Sequence, residues 1–366
     1  MADKIRVGIV GATVTPGGSG WGANAHVPAI QALPGYELKA VCTAHKETAR
    51  ASAEKFGAEL AFQDMNEMVA HPGVDLIAVV VRVPLHQQLV MAAIEANKPV
   101  CCEWPLGAHL AEATEMATRA KAAGLPTLVG LQAQSDPAVM YARDLIADDK
   151  IGDVVTVNLS VMVGAITERG DGRIWQGIRA NGANPMTIPG GHSIDALCYI
   201  LGEFAEVSAR VTTRIDMWKH SVTGEDFPVD APDTVTAAGV LKSGAEVSYQ
   251  VASVPYNASG TRMEIYGRKG TLVLTSKSVN IGPSQLHLAI SDDKMAEIIP
   301  PDSYRLIPVD MAAGPGRNVG QAYARFANAM QSGTADSPDF NDAVGRHALI
   351  DAMERSHRES KVIKLV

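Results

Sequence analysis

Three stretches of this chain put reactive or ligand-binding residue types where a turn would present them. The first is Gly11-Ala-Thr-Val-Thr-Pro-Gly-Gly-Ser-Gly20-Trp-Gly22, between a β-branched run (Ile5–Val10) and the helically spaced Val27, Ile30 and Leu33. Strand, glycine-rich turn and helix form the arrangement in which backbone N–H groups and a helix N-terminus receive a pyrophosphate. The spacing departs from GxGxxG: Gly11 takes the first place, Thr13 stands in the second, and Gly20 and Trp21 close a longer loop. The second stretch is Pro99–Leu106, where a short apolar run (Val100, Cys101, Cys102) ends in Glu103, Trp104 and Pro105. In an open α/β sheet such a strand end faces the ligand. The third is Gly190–Leu201, where His192 follows two glycines and opens an apolar helix, with Asp195 three residues on and on the same face. An imidazole at a helix start can act as acid or base near neutral pH, or only hydrogen-bond a ligand. Asp195 can orient it, bind substrate or serve as a structural carboxylate.

Other residues gather around these. The tip of the second predicted strand reads Thr43-Ala-His-Lys46 and holds no acid. A carboxylate there would bond the ribose hydroxyls of NAD; a hydroxyl and a cation suit the 2′-phosphate of NADP. NADP is therefore the expected cofactor, with NAD as the other choice. The competing reading has Thr43 capping the next helix and Lys46 on its solvated face. Val81, Arg82 and His86 end the third clear strand, and Arg82 reaches either a phosphate or a surface carboxylate. Trp104 can stack on nicotinamide or sugar, or simply fill space. Gln132 and Gln134 are candidate polar ligands of substrate or merely caps, and Trp175 is a candidate cleft-lining ligand of substrate.

The elements that must hold these residues alternate regularly. Predicted strands at Ile5–Val10, Glu37–Cys42, Val74–Val83, Pro99–Cys102 and Pro126–Gly130 are separated by helices at Ala23–Leu33, Lys46–Phe56, Gln87–Ala96 and Leu110–Ala123. That is a doubly wound parallel sheet over residues 1–131. From residue 132 onward one helix (Asp136–Ala147) precedes six strands: Val154–Val163, Ala205–Thr213, Asp233–Leu241, Glu246–Ala252, Met263–Tyr266 and Thr271–Thr275. Several alternate apolar and polar residues, the mark of a sheet with one covered face. The expected class is α/β plus α+β: an N-terminal Rossmann domain, then a domain (132–366) on a large, open, mainly antiparallel sheet. The segment Trp218–Pro232 reads as an irregular polar loop. Helices are expected at Gly190–Leu201, Asn318–Met330 and Phe340–Ser356, and a last strand at Val362–Leu365.

Composition narrows the classes. The 366 residues carry a net charge of −8 and no basic block, against nucleic acid as a partner. No apolar run spans a membrane and no signal peptide is expected, which points to the cytoplasm. Cys42, Cys101, Cys102 and Cys198 lack zinc-like spacing and read as buried small hydrophobes, and the histidines form no metal-like pair. An open sheet face needs covering, so a homodimer or homotetramer through the C-terminal sheet is expected.

Taken together, Gly11, His26-Val-Pro-Ala-Ile30, Glu103-Trp-Pro-Leu106, Ile151-Gly-Asp153, Gly191-His192 with Asp195, Tyr266-Gly-Arg-Lys-Gly270 and Pro338-Asp-Phe340 resemble the Gfo/Idh/MocA oxidoreductase family over nearly the whole chain. Gly20-Trp21, Leu131-Gln132 before Pro137, Arg143-Asp-Leu-Ile146 and Gly191-His-Ser-Ile-Asp195 are similar to its Gal80-like branch, which also carries Glu-Trp in place of Glu-Lys-Pro. The resemblance implies nicotinamide-side contacts for Glu103. It also implies a catalytic lysine at position 104 and an aspartate at 188, where this chain has Trp104 and Ile188. Of that proton-transfer set only His192 remains. The implied function is an NAD(P)-dependent oxidoreductase acting on a hydroxyl or carbonyl of a small, sugar-like molecule. The alternative is a Gal80-like nucleotide-binding sensor without turnover.

Overall fold

The short β-branched runs of the first half form buried parallel strands, and the Ala-rich segments between them form the covering helices. The computed structural model describes residues 4–15, 20–164, 167–280, 282–309, 311, 314–333 and 336–365. Residues 16–19 of the glycine-rich loop lie outside the described residues. In chain order the first strands and helices are β1 (Ile5–Val10), α1 (Val27–Ala32), β2 (Tyr36–Cys42), α2 (Lys46–Phe56), β3 (Leu60–Phe62), α3 (Met65–Ala70), β4 (Leu76–Val79), α4 (His86–Glu95), β5 (Val100–Cys102), α5 (Leu110–Ala122) and β6 (Thr127–Val129). There follow α6 (Pro137–Ala147), β7 (Val154–Gly164), β8 (Glu168–Arg169), α7 (Gly191–Leu201), β9 (Phe204–Thr212), β10 (Met217–His220), β11 (Asp226–Pro228), β12 (Thr234–Leu241) and β13 (Glu246–Val254). The chain closes with β14 (Gly260–Gly267), β15 (Gly270–Ser276), β16 (Gln285–Ile290), β17 (Ala296–Ile298), α8 (Gly316–Ser332), α9 (Phe340–Glu359) and β18 (Ile363–Lys364).

The chain divides into two compact units: 1–132 with 171–173 and 306–344, and the remainder. In the first, six parallel strands run in the order β3-β2-β1-β4-β5-β6. The strand predicted over Val74–Val83 pairs only over Leu76–Val79, because Val83-Pro84 turns the chain into a 3₁₀ turn ahead of α4. The helix predicted from Ala23 opens with a wide π-type turn, Gly22–His26, before α1. Strand β3 and helix α3 were too short to show a period in the sequence. Helix α8 packs in this unit: Val319, Ala322, Tyr323 and Phe326, spaced as one helical face, join Ile9, Ile30 and Leu38 in a single apolar core. Its end at Gly333 (φ 71°) is a left-handed cap.

In the second unit nine strands form one mixed sheet, β17-β16-β15-β14-β7-β13-β12-β9-β18. Strands β7 and β13 are parallel and the other pairs antiparallel. The alternation works as the pleat requires: Val157, Leu159 and Val161 lie beside Val247, Tyr249 and Val251, all buried, while Thr236, Gln250 and Arg262 point to the exposed face. The segment 218–232 corrects the loop expectation. Strands β10 and β11 pair there as an antiparallel hairpin with β8 alongside, and Trp218 is buried with Val229 and Ala231.

Candidate functional site

In the first unit the end of β1 is shaped by glycine. Gly11 has φ +99°, and a Cβ on it would stand 2.0 Å from the Val80 carbonyl oxygen. A Cβ on Gly22 would come within 3.0 Å of Ala12. The start of the π-type turn therefore lies tightly against the β1 turn, where a side chain would crowd it. Thr13 and Thr15 share a hydroxyl contact of 3.1 Å, Gly20 (φ 69°) accepts the Asn24 N–H, and Trp21 packs on the apolar core.

At the tip of β2 the Thr43 hydroxyl donates to the His45 carbonyl at 3.1 Å and lies 2.6 Å from the Thr48 hydroxyl. It does not cap α2, whose first residue, Lys46, is exposed. Beyond β4, His86 was predicted to face the cofactor. It is instead fully buried, with Nδ1 2.9 Å from the Pro105 carbonyl and Nε2 3.1 Å from that of Val81. Burial lowers its pKa, partly offset by those carbonyls and by Glu103. It ties two turns of the lip together. Arg82 donates to the Asp171 carbonyl at 2.8 Å.

At the end of β5 the Glu103 carboxylate accepts from His26 Nε2 at 2.8 Å, and His26 Nδ1 lies 2.9 Å from the Tyr323 hydroxyl. Trp104 is 4% exposed, and its peptide bond to Pro105 is cis. Sequence reasoning missed His26 and Tyr323 as site residues. His26 stood in plain sight five residues after Trp21, but only the fold brings it to Glu103. At the end of β6, Gln132 is 1% exposed, and among the described residues neither Nε2 nor Oε1 has a hydrogen-bond partner. Cys42 and Cys198 are pushed by burial to about 11 and about 12, and Cys101 and Cys102 further still. All four thiols are free, buried and unreactive.

In the second unit His192 lies in the first turn of α7 and is buried. Asp195 and Gln134 are buried and bonded to each other: Gln134 Nε2 donates to Asp195 Oδ1 at 3.0 Å. Arg346 Nε stands 3.7 Å from the same oxygen and pairs through Nη2 with Glu203. Burial opposes the Arg346 charge, but Cys198, Asp195 and Glu203 outweigh it and raise its pKa. Trp175 is half-buried in a 3₁₀ turn, its carbonyl accepting from Asn181. Among the described residues no cluster of three His, Cys, Asp or Glu could hold a metal, and no helix is long and apolar enough to cross a membrane.

Two stretches of the chain match known families. Residues 5–131 match the NAD-binding Rossmann fold of an oxidoreductase family, GFO_IDH_MocA, and residues 137–276 match the C-terminal domain of Gal80p. The first region is thus a Gfo/Idh/MocA-type NAD-binding domain and the second is similar to the C-terminal domain of Gal80p. Among curated relatives it is 29% identical to the dehydrogenase aclE of Aspergillus oryzae, over 97% of each chain. It is 25% identical to the galactose/lactose metabolism regulatory protein GAL80 of Saccharomyces cerevisiae, over 88% of this chain and 78% of that protein. Among solved structures, levoglucosan dehydrogenase in complex with NADH and L-sorbose superposes with a TM-score of 0.88 at 22% identity, over 99% of each chain. That likeness is one of fold. A nicotinamide dinucleotide fits what the first unit offers: a glycine turn that a Cβ would block and a carboxylate at the lip.

Proposed function

We propose that this protein is an NAD(P)-dependent oxidoreductase acting on a hydroxyl or carbonyl of a small, sugar-like molecule, the first unit binding cofactor and the second binding substrate. The observation that carries this reading is Gln132. An amide at 1% exposure with neither atom bonded is costly, about 1–3 kcal/mol for each unsatisfied group. It offers an NH₂ donor group and a carbonyl acceptor side by side, which is what neighbouring hydroxyls, themselves donors and acceptors, would satisfy. The bound nicotinamide would accept or supply the hydride. The turn at Gly11, Thr13, Gly20 and Trp21 would receive the pyrophosphate, and Glu103 and Trp104 would flank the nicotinamide half. His192 would carry the proton, without the lysine and aspartate that the resemblance leads one to expect at Trp104 and Ile188. The absence of an acid in Thr43-Ala-His-Lys46 supports NADP over NAD.

A panel of sugars, polyols and cyclitols with NAD and NADP, read at the reduced-nicotinamide absorbance, tests this reading. Turnover with at least one member is expected, and His192→Ala should lower kcat by roughly 10²–10⁴. Turnover untouched in that variant removes His192 from the chemistry, and a strong preference for NAD removes the NADP assignment. The second reading, a nucleotide-binding sensor, is supported by Trp104, Ile188 and the Gal80p-like second half. Cofactor binding with no turnover across the panel would establish it. A homodimer or homotetramer through the C-terminal sheet is the expected assembly, which light scattering checks, and the four buried free thiols support a reducing cytoplasm.

A further inference from the structure

Glu103 is held by more than its place in the sheet. His26 and Tyr323 are 1% and 0% exposed, while the Glu103 side chain keeps 12%. The His26 and Tyr323 rings meet edge to face, centroids 5.7 Å apart at 87°. Tyr323 is itself pinned, since its carbonyl accepts from the Tyr36 hydroxyl at 2.7 Å. On the other side, a Cβ at Gly130 would stand 2.6 Å from Glu103 Oε1, so glycine leaves that oxygen its place. Oε1 is thus enclosed and bonded. Among the described residues Oε2 has no hydrogen-bond partner, and it belongs to the part of the side chain that remains accessible. An ionised carboxylate only accepts, so whatever Oε2 meets must be a donor.

Strand order says which donor. The adenosine ribose belongs at the tip of β2 and the pyrophosphate at the β1 turn. Strand β5 lies on the opposite side of β1, two strand spacings away, or about 10 Å. On that side the dinucleotide presents its second ribose and its carboxamide, both of which carry donors. We propose that His26, anchored by Tyr323, is a positioning residue: it fixes Glu103 Oε1 so that Oε2 accepts a hydrogen bond from the nicotinamide half of the cofactor. This rests on the cofactor reading above and adds to it how the carboxylate is aimed.

The test compares two ligands at equilibrium, without turnover. One is the reduced cofactor, NADH or NADPH, whichever the unaltered protein binds more tightly. The other is ADP, which lacks the nicotinamide nucleoside. His26→Ala should weaken reduced-cofactor binding by about tenfold, the equivalent of one charge-assisted hydrogen bond, and leave ADP within about twofold. His26→Gln keeps an amide donor near the Nε2 position and should recover most of the loss. Tyr323→Phe should give a smaller loss with the same selectivity, and it keeps the question answerable if His26→Ala does not fold. Equal losses for both ligands, or none in any variant, overturn the positioning role. If the unaltered protein binds neither ligand, the cofactor reading falls and this inference with it.

Discussion

Glu103 and Asp195 are both carboxylates braced by a nitrogen partner, yet the two units use them in opposite ways. Glu103 has one oxygen tied to a histidine and its side chain still 12% accessible. Asp195 is 1% exposed and faces a buried guanidinium at 3.7 Å as well as the Gln134 amide. The first is an acceptor aimed outward. The second is an internal counter-charge, and its work is to keep Arg346 paired beneath the helix that carries His192. A sequence shows both as acids near a motif; what separates them is how deeply each is buried and whether a cation is buried beside it.

The sharpest way to break this contrast is Arg346→Met. It leaves Asp195 buried without its cation and should cost about 3–5 kcal/mol in urea unfolding, whereas a mere surface pair would cost almost nothing. Gln134→Leu removes a hydrogen bond to the same charged group and should cost about 1.5–3 kcal/mol, with no change in cofactor affinity. If it instead raised the substrate KM and left stability intact, Gln134 would be a ligand residue after all. Gly130→Ala pushes a methyl group against Glu103 Oε1 and the Trp104 backbone, at a cost of about 1–3 kcal/mol. Unlike the previous two, it should also weaken reduced-cofactor binding, which fluorescence titration reads.

The smallest effect is a slope. Burial lowers the His86 pKa from its ordinary 6.5, so the unfolded chain takes up more protons as pH falls through that value. The stability contributed by the neutral, buried imidazole is complete above about pH 6.5 and declines as pH falls toward the lower folded value. His86→Gln should flatten the fall in Tm between about pH 7 and pH 5. A steeper fall would mean that His86 is protonated in the fold, with both ring nitrogens donating to the Val81 and Pro105 carbonyls, and an unchanged slope would mean that folding leaves its protonation unaltered.

Much of the fold was legible because its signals are local. Helix α2 runs from Lys46 to Phe56 and stops at Gly57 as read, since a left-handed cap (φ 70°) is written in one residue. The covered face of β7 and β13 follows from alternation alone. The hairpin at Met217–Pro228 was not legible: Lys219, His220 and Asp226 look like a polar loop, and the strands form because Trp218 and Phe227 pack with Val229 in a small core made by distant segments.

Sequence by itself determined which residue types stand at the strand ends: Gly11 where a Cβ cannot fit, Glu103 after an apolar strand, and Trp104 where the family resemblance leads one to expect a lysine. Only the tertiary structure decided what each faces. His26 and Tyr323 stand 297 positions apart, and no periodicity says that α8 returns to the first unit to bring them within 2.9 Å. A helix's apolar stripe records that it will be buried, not against what; the partner is chosen by packing and by the need of each buried polar atom for a hydrogen bond.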